Sequence, residues 1–287
     1  MDNNKETYLR KLHSDILVVM DEIDRLCTKY HLRYYLIGGT LLGAIRHQGF
    51  IPWDDDLDIV MPRDDYEKFI QLCMDGHLND NFYIEWITTN EKYPLFFAKV
   101  CLCKTTFDEG YFCKINPFGI FVDIFPLDYC GGYSAFVEKT KNKVVKLIAV
   151  AGSKVINDDF QLKHWPRRIL RHFISSETIH KYTLKLATQL SQEGHGYYTN
   201  LGSQYSPKKQ TMPIEWFGEG VKLPFEDRKY QCPTEYKKVV ESIFGPKYMD
   251  IPPIEKRRTH YPRKVKFTDG EVMEFQPPKK KLTIYDQ

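Results

Sequence analysis

Apolar residues recur at steps of three and four along several parts of this chain, which is the period of an amphipathic helix. The first such stretch covers residues 7–29, with an apolar stripe at Leu9, Leu12, Ile16, Val19, Ile23 and Leu26. A second stripe follows Pro62 and is formed by Tyr66, Phe69, Ile70 and Cys73. The same spacing, together with Gly and Pro as helix ends, predicts further helices at 40–47, 134–150, 165–174, 177–192 and 233–244.

Short runs of β-branched and aromatic residues, separated by Asn, Pro and Gly, predict strands between these helices. The predicted strands cover residues 34–37, 56–61, 82–88, 96–103, 120–125, 197–201 and 225–232. Helices dominate residues 133–195, directly after the strand at 120–125. Because the chain has neither an internal repeat nor a low-complexity linker, we predict a single domain over residues 1–287 with a helical insertion at 133–195.

The overall composition indicates an ordinary globular protein. Of 287 residues, 42% are hydrophobic and 28% are charged, and the net charge of +3 is too small to indicate a nucleic-acid partner. The sequence has no signal-peptide pattern and no apolar run long enough to span a bilayer. We therefore expect a cytoplasmic chain with reduced cysteines. Zinc binding is a less favoured alternative for the cysteines, since no C-x-x-C pair occurs among Cys101, Cys103, Cys113 and Cys130.

The predicted insertion is more basic than the rest of the chain. Between residues 137 and 190, Lys and Arg outnumber Asp and Glu by eleven to four. Basic and bulky apolar residues are densest at 163–174, and a helix of this kind can rest on an anionic membrane surface. The sequence leaves two interpretations open: peripheral contact of the helices at 137–190 with the inner face of the membrane, or ordinary solvated helices packed on the core.

A glycine pair lies where the predicted strand at 34–37 meets the helix at 40–47. Gly38 and Gly39 allow the backbone to approach a ligand closely, and the amides at a helix start face an anion. Thr40 is a candidate N-cap. A glycine pair also occurs in ordinary tight turns, so its value as a phosphate-site signal comes from the acidic residues that follow it.

Four aspartates, Asp54, Asp55, Asp56 and Asp58, fall within five positions. Side chains alternate along a strand, so Asp56 and Asp58 are expected to point to the same side. Their repulsion requires a cation or basic groups nearby, and carboxylate oxygens suit Mg²⁺ or Mn²⁺. The alternative is a solvated acidic loop, which the flanking apolar residues disfavour.

A single charge interrupts the apolar strand at 120–125, and this residue, Asp123, is the best third ligand for a site with two metal ions. We predict that Asp56, Asp58 and Asp123 are both the metal ligands and the catalytic residues. Alanine at Asp58 or Asp123 is then expected to abolish activity and to leave the fold intact.

Other side chains are expected around these carboxylates. Arg46 and His47 follow the glycines, and Lys99 interrupts an apolar strand, so these side chains are candidate phosphate contacts. The alternative for Arg46 is a salt bridge to Asp54 and Asp55. The full predicted phosphate-binding set is Gly38, Gly39, Thr40, Arg46, His47 and Lys99. The residues predicted to support the ligands are Trp53, Asp54, Asp55, Asp128, expected in a turn, and His260.

Three segments resemble the LicD family. Residues 36–58, LIGGTLLGAIRHQGFIPWDDDLD, and 121–128, FVDIFPLD, are similar to its signature, and FGxxYMxxPP at 244–253, followed by His260, is similar to its ending. The resemblance implies an α+β, nucleotidyltransferase-like fold with a mixed β-sheet flanked by helices. It also implies that Gly38 and Gly39 are the phosphate-binding glycines, that Asp56 and Asp58 are metal ligands, and that Asp123 is the third carboxylate.

The resemblance also implies a function. Bacterial members transfer phosphocholine from CDP-choline to surface glycans such as teichoic acids. We therefore expect a CDP-linked alcohol donor, a glycan or lipid-linked oligosaccharide acceptor, and release of CMP. In the expected mechanism one ion at Asp56, Asp58 and Asp123 lowers the pKa of the acceptor hydroxyl, and a second ion at Asp56 and Asp58 stabilises the leaving phosphate. The alternatives are a nucleotidyltransferase acting on an NTP, a glycosyltransferase, and a non-catalytic nucleotide-binding protein.

Overall fold

The computed structural model describes residues 3–90, 93, 95–109, 118–152, 169, 173–190, 196–257, 259 and 262–275. The helices are α1 (Asn3–Tyr30), α2 (Gly38–His47), α3 (Arg63–Met74), α4 (Ala135–Gly152), α5 (Ser176–Thr188), the single turn α6 (Pro207–Gln210) and α7 (Tyr236–Phe244). These bounds confirm the other predicted helices. Of the helix predicted at 165–174, only residues 169, 173 and 174 are among the described residues.

The strands are β1 (Tyr35–Leu36), β2 (Asp58–Pro62), β3 (Phe82–Glu85), β4 (Ala98–Leu102), β5 (Thr106–Asp108), β6 (Phe121–Cys130), β7 (Tyr197–Thr199), β8 (Thr211–Pro213), β9 (Val221–Phe225), β10 (Arg228–Cys232), β11 (Lys264–Lys266) and β12 (Val272–Glu274). Several boundaries differ from the prediction. β2 begins at Asp58 rather than at residue 56, β6 continues five residues past Phe125, and residues 225–232 belong to the hairpin of β9 and β10.

Seven of the strands in the described part of the chain form a central mixed sheet. Its spatial order is β1-β2-β6-β4-β3, and β7 and β8 extend it from the second half of β6. β2 and β6 are parallel, whereas the other neighbours are antiparallel. A second sheet joins β5, β11 and β12, so the C-terminal segment returns to the strand that follows β4. The α+β class is confirmed.

The helices bury their apolar stripes against this sheet. Leu12, Ile16, Val19 and Ile23 of α1 are almost fully buried, and α1 lies against β4 and β6. α4 and α5 pack on each other and share a smaller core with Phe96, Cys130 and Leu201 of the body of the protein. The organisation as one domain over residues 1–287 stays a prediction. None of the helices in the described ranges is long and apolar enough to cross a membrane.

Candidate active site

Four charged residues form one row across the central sheet. The parallel register of β2 and β6 places Asp58 beside Asp123, and the antiparallel register of β4 and β6 places Lys99 on the other side of Asp123. β3 continues the row with Glu85 beside Lys99. Directly paired residues project from the same face of a sheet. One face therefore carries Asp58, Asp123, Lys99 and Glu85 at the same level.

Lys99 is the internal counter-charge of this row. Its side chain is 2% exposed, and its Nζ lies 2.6 Å from Asp123 Oδ1. The same Nζ lies 3.3 Å from the centre of the Phe121 ring, so the ammonium group rests on an aromatic face. Lys99 thus binds Asp123 in this conformation, and its predicted contact with a phosphate stays a prediction.

The acidic segment before β2 is held from outside the sheet. Burial alternates along it: Asp55 is buried, whereas Asp56 and Asp58 are half-buried. The alternation predicted for a strand is therefore present although Asp56 precedes β2. The Tyr8 hydroxyl lies 3.4 Å from Asp55 Oδ2, and His13 Nε2 lies 2.7 Å from the Asp54 carbonyl oxygen. Both contacts come from α1, which agrees with the predicted supporting role of Asp54 and Asp55.

The glycine turn brings the start of α2 against these aspartates. Gly38 has φ +58°, in the left-handed region that glycine tolerates best, and a Cβ placed on it would lie 3.7 Å from Asp58 Oδ2. The N-cap of α2 is Ile37, so the prediction that Thr40 caps the helix is wrong. Thr40 Oγ1 instead accepts a hydrogen bond of 2.9 Å from the backbone N–H of Asp58. This bond ties α2 to the first residue of β2.

We expect Gly39→Ala to lower the catalytic rate and to cost less stability than Gly43→Ala. A Cβ at this position would lie 2.7 Å from Asp54 Oδ2, the end of a side chain that can move, so the methyl group would displace that carboxylate from its place beside the turn. Gly43→Ala is the matched control, because its Cβ would lie 2.4 Å from the backbone oxygen of Gly49. It should cost about 1–3 kcal/mol of stability. Thermal unfolding and initial rates of both variants test this, and equal stability losses would contradict it.

The aspartates hinder one another's ionisation. Burial, reinforced by the charges of Asp56, Asp123 and Asp54, raises the pKa of Asp58 well above its usual range. Burial also raises the pKa of Asp123 to about 7, against the opposing effect of Lys99. Such a group of carboxylates is the donor chemistry and the charge that a hard divalent cation requires. The described residues contain no ready-made group of three His, Cys, Asp or Glu ligands, but Mg²⁺ commonly uses one or two carboxylates with water and substrate phosphates.

The zinc alternative gains no support from the part of the chain that is described. The six cysteines in the described part are free thiols, and Cys101 and Cys130 are buried in β4 and β6. Cys113 lies outside the described residues.

We expect the stability advantage of Asp58→Asn over the wild type to grow between pH 5 and pH 8. A carboxyl group whose pKa folding raises is fully stabilising only below its unfolded pKa of about 4, and this contribution is lost as pH rises toward its folded pKa. His13 and His180 have pKa values lowered by burial, so they act in the opposite sense below about pH 6.5. Both proteins contain these histidines, so their contribution cancels when the stability of the wild type is subtracted from that of Asp58→Asn.

Thermal unfolding of both proteins in EDTA, at four pH values, measures this difference. Millimolar Mg²⁺ should then raise the Tm of the wild type more at pH 8 than at pH 5, because fewer protons compete for the carboxylates. A constant difference between the proteins, or a larger effect of Mg²⁺ at pH 5, would show that Asp58 does not carry the repulsion.

Arg46 does not pair with Asp54 or Asp55. Its Nη1 donates to the carbonyl oxygens of Tyr248 and Asp250, each at 3.0 Å. Burial and the nearby charge of Arg257 lower the pKa of Arg46. Two guanidinium groups that are close to each other favour an anion between them, so the predicted contact of Arg46 with phosphate remains compatible with the geometry.

The C-terminal segment also covers the turn at Trp53. The guanidinium of Arg257 lies 4.6 Å from the centre of a Trp53 ring, and His47 packs edge-on against Trp53 at 6.1 Å. Thr259 Oγ1 donates to the Trp53 carbonyl oxygen at 2.6 Å. The sequence analysis did not single out Arg257, although it lies between the FGxxYMxxPP motif and His260. His260 itself lies outside the described residues.

Asp128 lies in the core rather than in a turn. It belongs to β6, so that prediction is wrong, and its side chain is fully buried. Arg63 Nε and Nη2 donate to its two carboxylate oxygens at 2.7 and 3.0 Å. Asp128 is five positions from Asp123 on the same strand, and an odd separation places the two side chains on opposite faces. Asp128 is therefore held in the core by Arg63, and not by the metal ligands that it was predicted to support.

Two further residues near the carboxylates carry no strong signal in the sequence. The charge of Glu109, just after β5, acts on both Lys99 and Asp123. The hydroxyl of Tyr205, in the loop after β7, lies in the field of Asp58, Asp54 and Asp56. Both residues reach the site through tertiary packing, and neither belongs to a recognisable motif.

Comparisons with known proteins agree with this geometry. A family model described as "LicD/FKTN/FKRP, nucleotidyltransferase domain" matches residues 31–129, the part that holds the glycine turn and all four charges of the row. The chain is 28% identical over 265 residues to "Lipopolysaccharide cholinephosphotransferase LicD" of Haemophilus influenzae, which covers 90% of this chain and 97% of that protein.

Two uncharacterised proteins of Rickettsia are similar over short segments. The one from Rickettsia typhi is 48% identical over 54 residues, 19% of this chain and 18% of its own length. The one from Rickettsia prowazekii is 51% identical over 47 residues, 16% of this chain and 18% of its own length. The domain match at the carboxylate row and the similarity along nearly the whole length to LicD both support the LicD family, which this chain resembles.

Proposed function

We propose that this protein is a LicD-type phosphotransferase that moves phosphocholine from CDP-choline to a hydroxyl group of a surface glycan or its lipid-linked precursor. The relative similar along nearly the whole chain is named a lipopolysaccharide cholinephosphotransferase. The observation that carries the proposal is the parallel register that sets Asp58 beside Asp123, at the glycine turn of α2. This arrangement offers carboxylates to a cation and backbone amides to a phosphate.

In the proposed reaction the acceptor oxygen bonds to the distal phosphorus of the donor. The bond between that phosphorus and the oxygen of CMP breaks, and CMP leaves with the electron pair. Asp123 is the proposed acceptor of the hydroxyl proton, because its carboxylate lies beside Asp58 in the charged row. Mg²⁺ or Mn²⁺, two ions at Asp56, Asp58 and Asp123 when bound, would supply charge stabilisation at the attacking and leaving oxygens.

The remaining predicted residues have proposed roles in holding the donor. The amides of Gly38, Gly39 and Thr40 face its diphosphate at the start of α2. Arg46, His47 and Lys99 supply positive or hydrogen-bonding groups around it. Trp53, Asp54 and Asp55 hold the acidic segment in place, since their contacts to Arg257, His13 and Tyr8 come from elements outside the sheet.

Peripheral contact with an anionic membrane is proposed for a lipid-linked acceptor. The exposed sides of α4 and α5 carry Lys139, Lys143, Lys146, Lys181 and Lys185, and the exposed aromatic residues Phe136 and Tyr182 lie among them. Basic and aromatic residues on one surface suit an anionic interface. Co-sedimentation with vesicles that contain phosphatidylglycerol, compared with phosphatidylcholine alone, distinguishes this from an ordinary solvated surface.

Product analysis tests the proposed function. The purified protein is incubated with Mg²⁺, CDP-choline and a glycan extract, and CMP and the modified glycan are measured by mass spectrometry. CMP with a phosphocholine-sized mass increase is expected. Pyrophosphate release from an NTP would instead show a nucleotidyltransferase. A thermal-shift series with CDP-choline, CDP-ribitol, CDP-glycerol and NTPs identifies the donor, and a shift without release of CMP or pyrophosphate would favour the non-catalytic nucleotide-binding alternative.

A further inference from the structure

A buried lysine connects the helical insertion to the loop after β7. Lys141 lies on α4 and is 8% exposed. Its Nζ donates to the carbonyl oxygen of Ser203 at 2.6 Å and to the carbonyl oxygen of Tyr205. Burial lowers the pKa of Lys141 to about 8, and none of the carboxylates in the described ranges pairs with it. The two carbonyl groups are therefore what holds this ammonium, and the ammonium in turn holds the loop.

The loop at residues 200–206 is rigid for local reasons as well. Asn200 is buried, and its Oδ1 accepts hydrogen bonds from the backbone N–H of Gly202 and Ser203 at 3.0 and 3.1 Å. Gly202 packs on Phe125, where an added Cβ would lie 3.1 Å from the ring. Phe125 is two positions after Asp123 on β6, so it projects from the same face. The loop thus lies over the face that carries the charged row.

Tyr205 is the side chain of this loop that lies in the field of the aspartates. Its ring packs edge-on against Phe244 of α7, with centroids 5.7 Å apart. Burial and the charges of Asp58, Asp54 and Asp56 raise the pKa of Tyr205 to about 12, so the hydroxyl is a neutral donor at neutral pH. Within the described ranges, no hydrogen bond engages its Oη.

Two of the cationic groups proposed to hold the donor also bind groups of the protein. Lys99 binds Asp123, and Arg46 binds the carbonyl oxygens of Tyr248 and Asp250. A phosphate that approaches Asp54, Asp56 and Asp58 meets negative charge, so a further hydrogen-bond donor there would help to hold it. A neutral phenol in the field of these aspartates, on a loop held over the same face, is such a donor.

We propose that Tyr205 is a substrate-binding residue whose hydroxyl donates a hydrogen bond to a phosphate oxygen of the donor, and that Lys141 is the positioning residue that holds it there. The inference rests on the proposed function, since it takes the donor to be a nucleoside diphosphate ester. It also gives the helical insertion a part in the active site: α4 fixes a loop that closes one side of it.

The test compares Tyr205→Phe with the wild type. The variant keeps the ring and its packing on Phe244 and loses only the hydroxyl. We expect kcat/KM for CDP-choline to fall about 10- to 100-fold, the usual effect of a lost hydrogen bond to a charged group, with KM for the acceptor unchanged. Tyr30→Phe is the matched control: its hydroxyl contacts His77, outside the carboxylate site, and its kinetics should equal those of the wild type. A value for Tyr205→Phe within twofold of the wild type overturns the inference.

Lys141 is tested with two variants. Lys141→Met should lower kcat/KM for the donor in the same direction, and Lys141→Arg, which can still donate to both carbonyls, should restore at least half of the loss. If Lys141→Met does not fold, Lys141→Arg alone decides. A Lys141→Arg protein that is as stable as the wild type but has the kinetics of Tyr205→Phe overturns the role of Lys141. Wild-type kinetics of Lys141→Arg support it.

Binding measurements separate this inference from the proposed function. Calorimetric titrations use CDP-choline and CTP with the wild type and Tyr205→Phe. If the wild type releases no CMP from CDP-choline, the proposed function fails. A weaker affinity of Tyr205→Phe for either nucleotide still supports the phosphate contact, and equal affinities for both overturn it.

Discussion

Asp58→Asn is expected to abolish phosphocholine transfer while the protein remains folded and at least as stable as the wild type. The amide has the shape of the carboxylate but carries no charge, so it cannot serve as an anionic ligand beside Asp123. Loss of several kcal/mol of charge stabilisation corresponds to a rate reduction of roughly 10³-fold or more. Stability is expected to rise because the substitution removes the charge of Asp58, which the like charges of its neighbours disfavour.

The companion variant Asp123→Asn should be equally inactive but less stable. Asp123 is the ion-pair partner of Lys99, which is 2% exposed. Removing one partner of a buried pair leaves the other charge uncompensated and typically costs about 3–5 kcal/mol. The structure therefore changes the expectation from the sequence, in which alanine at either position leaves the fold intact.

CMP release and thermal unfolding of the two variants provide the measurement. The exposed Asp80→Asn is the matched control and should change neither quantity. Residual activity above a few per cent in Asp58→Asn would refute the metal role. Equal stability of the two variants would show instead that Lys99 does not depend on Asp123.

Asp128→Ala is expected to lower the free energy of unfolding by about 3–5 kcal/mol, since it leaves the Arg63 guanidinium buried without its anion. Arg63 is 4% exposed at its side chain, and its Nη1 is buried without a hydrogen-bond partner in the described part of the chain. The remaining contacts of the guanidinium, over the rings of Tyr66 and Phe96, are too weak to replace a carboxylate.

Urea denaturation measures this loss. Glu177→Ala is the control, because the Lys181–Glu177 pair is more than three-quarters exposed on both sides and should contribute less than about 1 kcal/mol. Replacing both partners, Arg63→Met with Asp128→Leu, should recover most of the stability. If Asp128→Ala is instead stable and inactive, the residue supports the active site, as predicted from the sequence.

Local patterns predicted much of this protein because the information is local. A helical period depends on residues three and four apart, so α1 and α3 were predicted with their buried stripes. The acidic segment and Asp123 stand out because a charge inside an apolar run is costly unless it has a partner. The errors lie where a neighbour in space decides. Thr40 looks like a cap until Asp58 supplies a backbone N–H, and Asp128 looks like a turn residue until Arg63 supplies a buried partner.

By itself, the sequence determined the helices, most strands, the glycine turn and the carboxylates predicted to carry the chemistry, since these depend on spacing along the chain. Only the tertiary structure decided which of them meet. The row of Asp58, Asp123, Lys99 and Glu85 exists because β6 lies between β2 and β4 in space, an order that differs from their order in the chain. Strand register is set by the packing of whole elements, which no local period encodes. For the same reason, the roles proposed for Lys141 and Tyr205 depend on the tertiary structure, which brings α4 to the loop after β7.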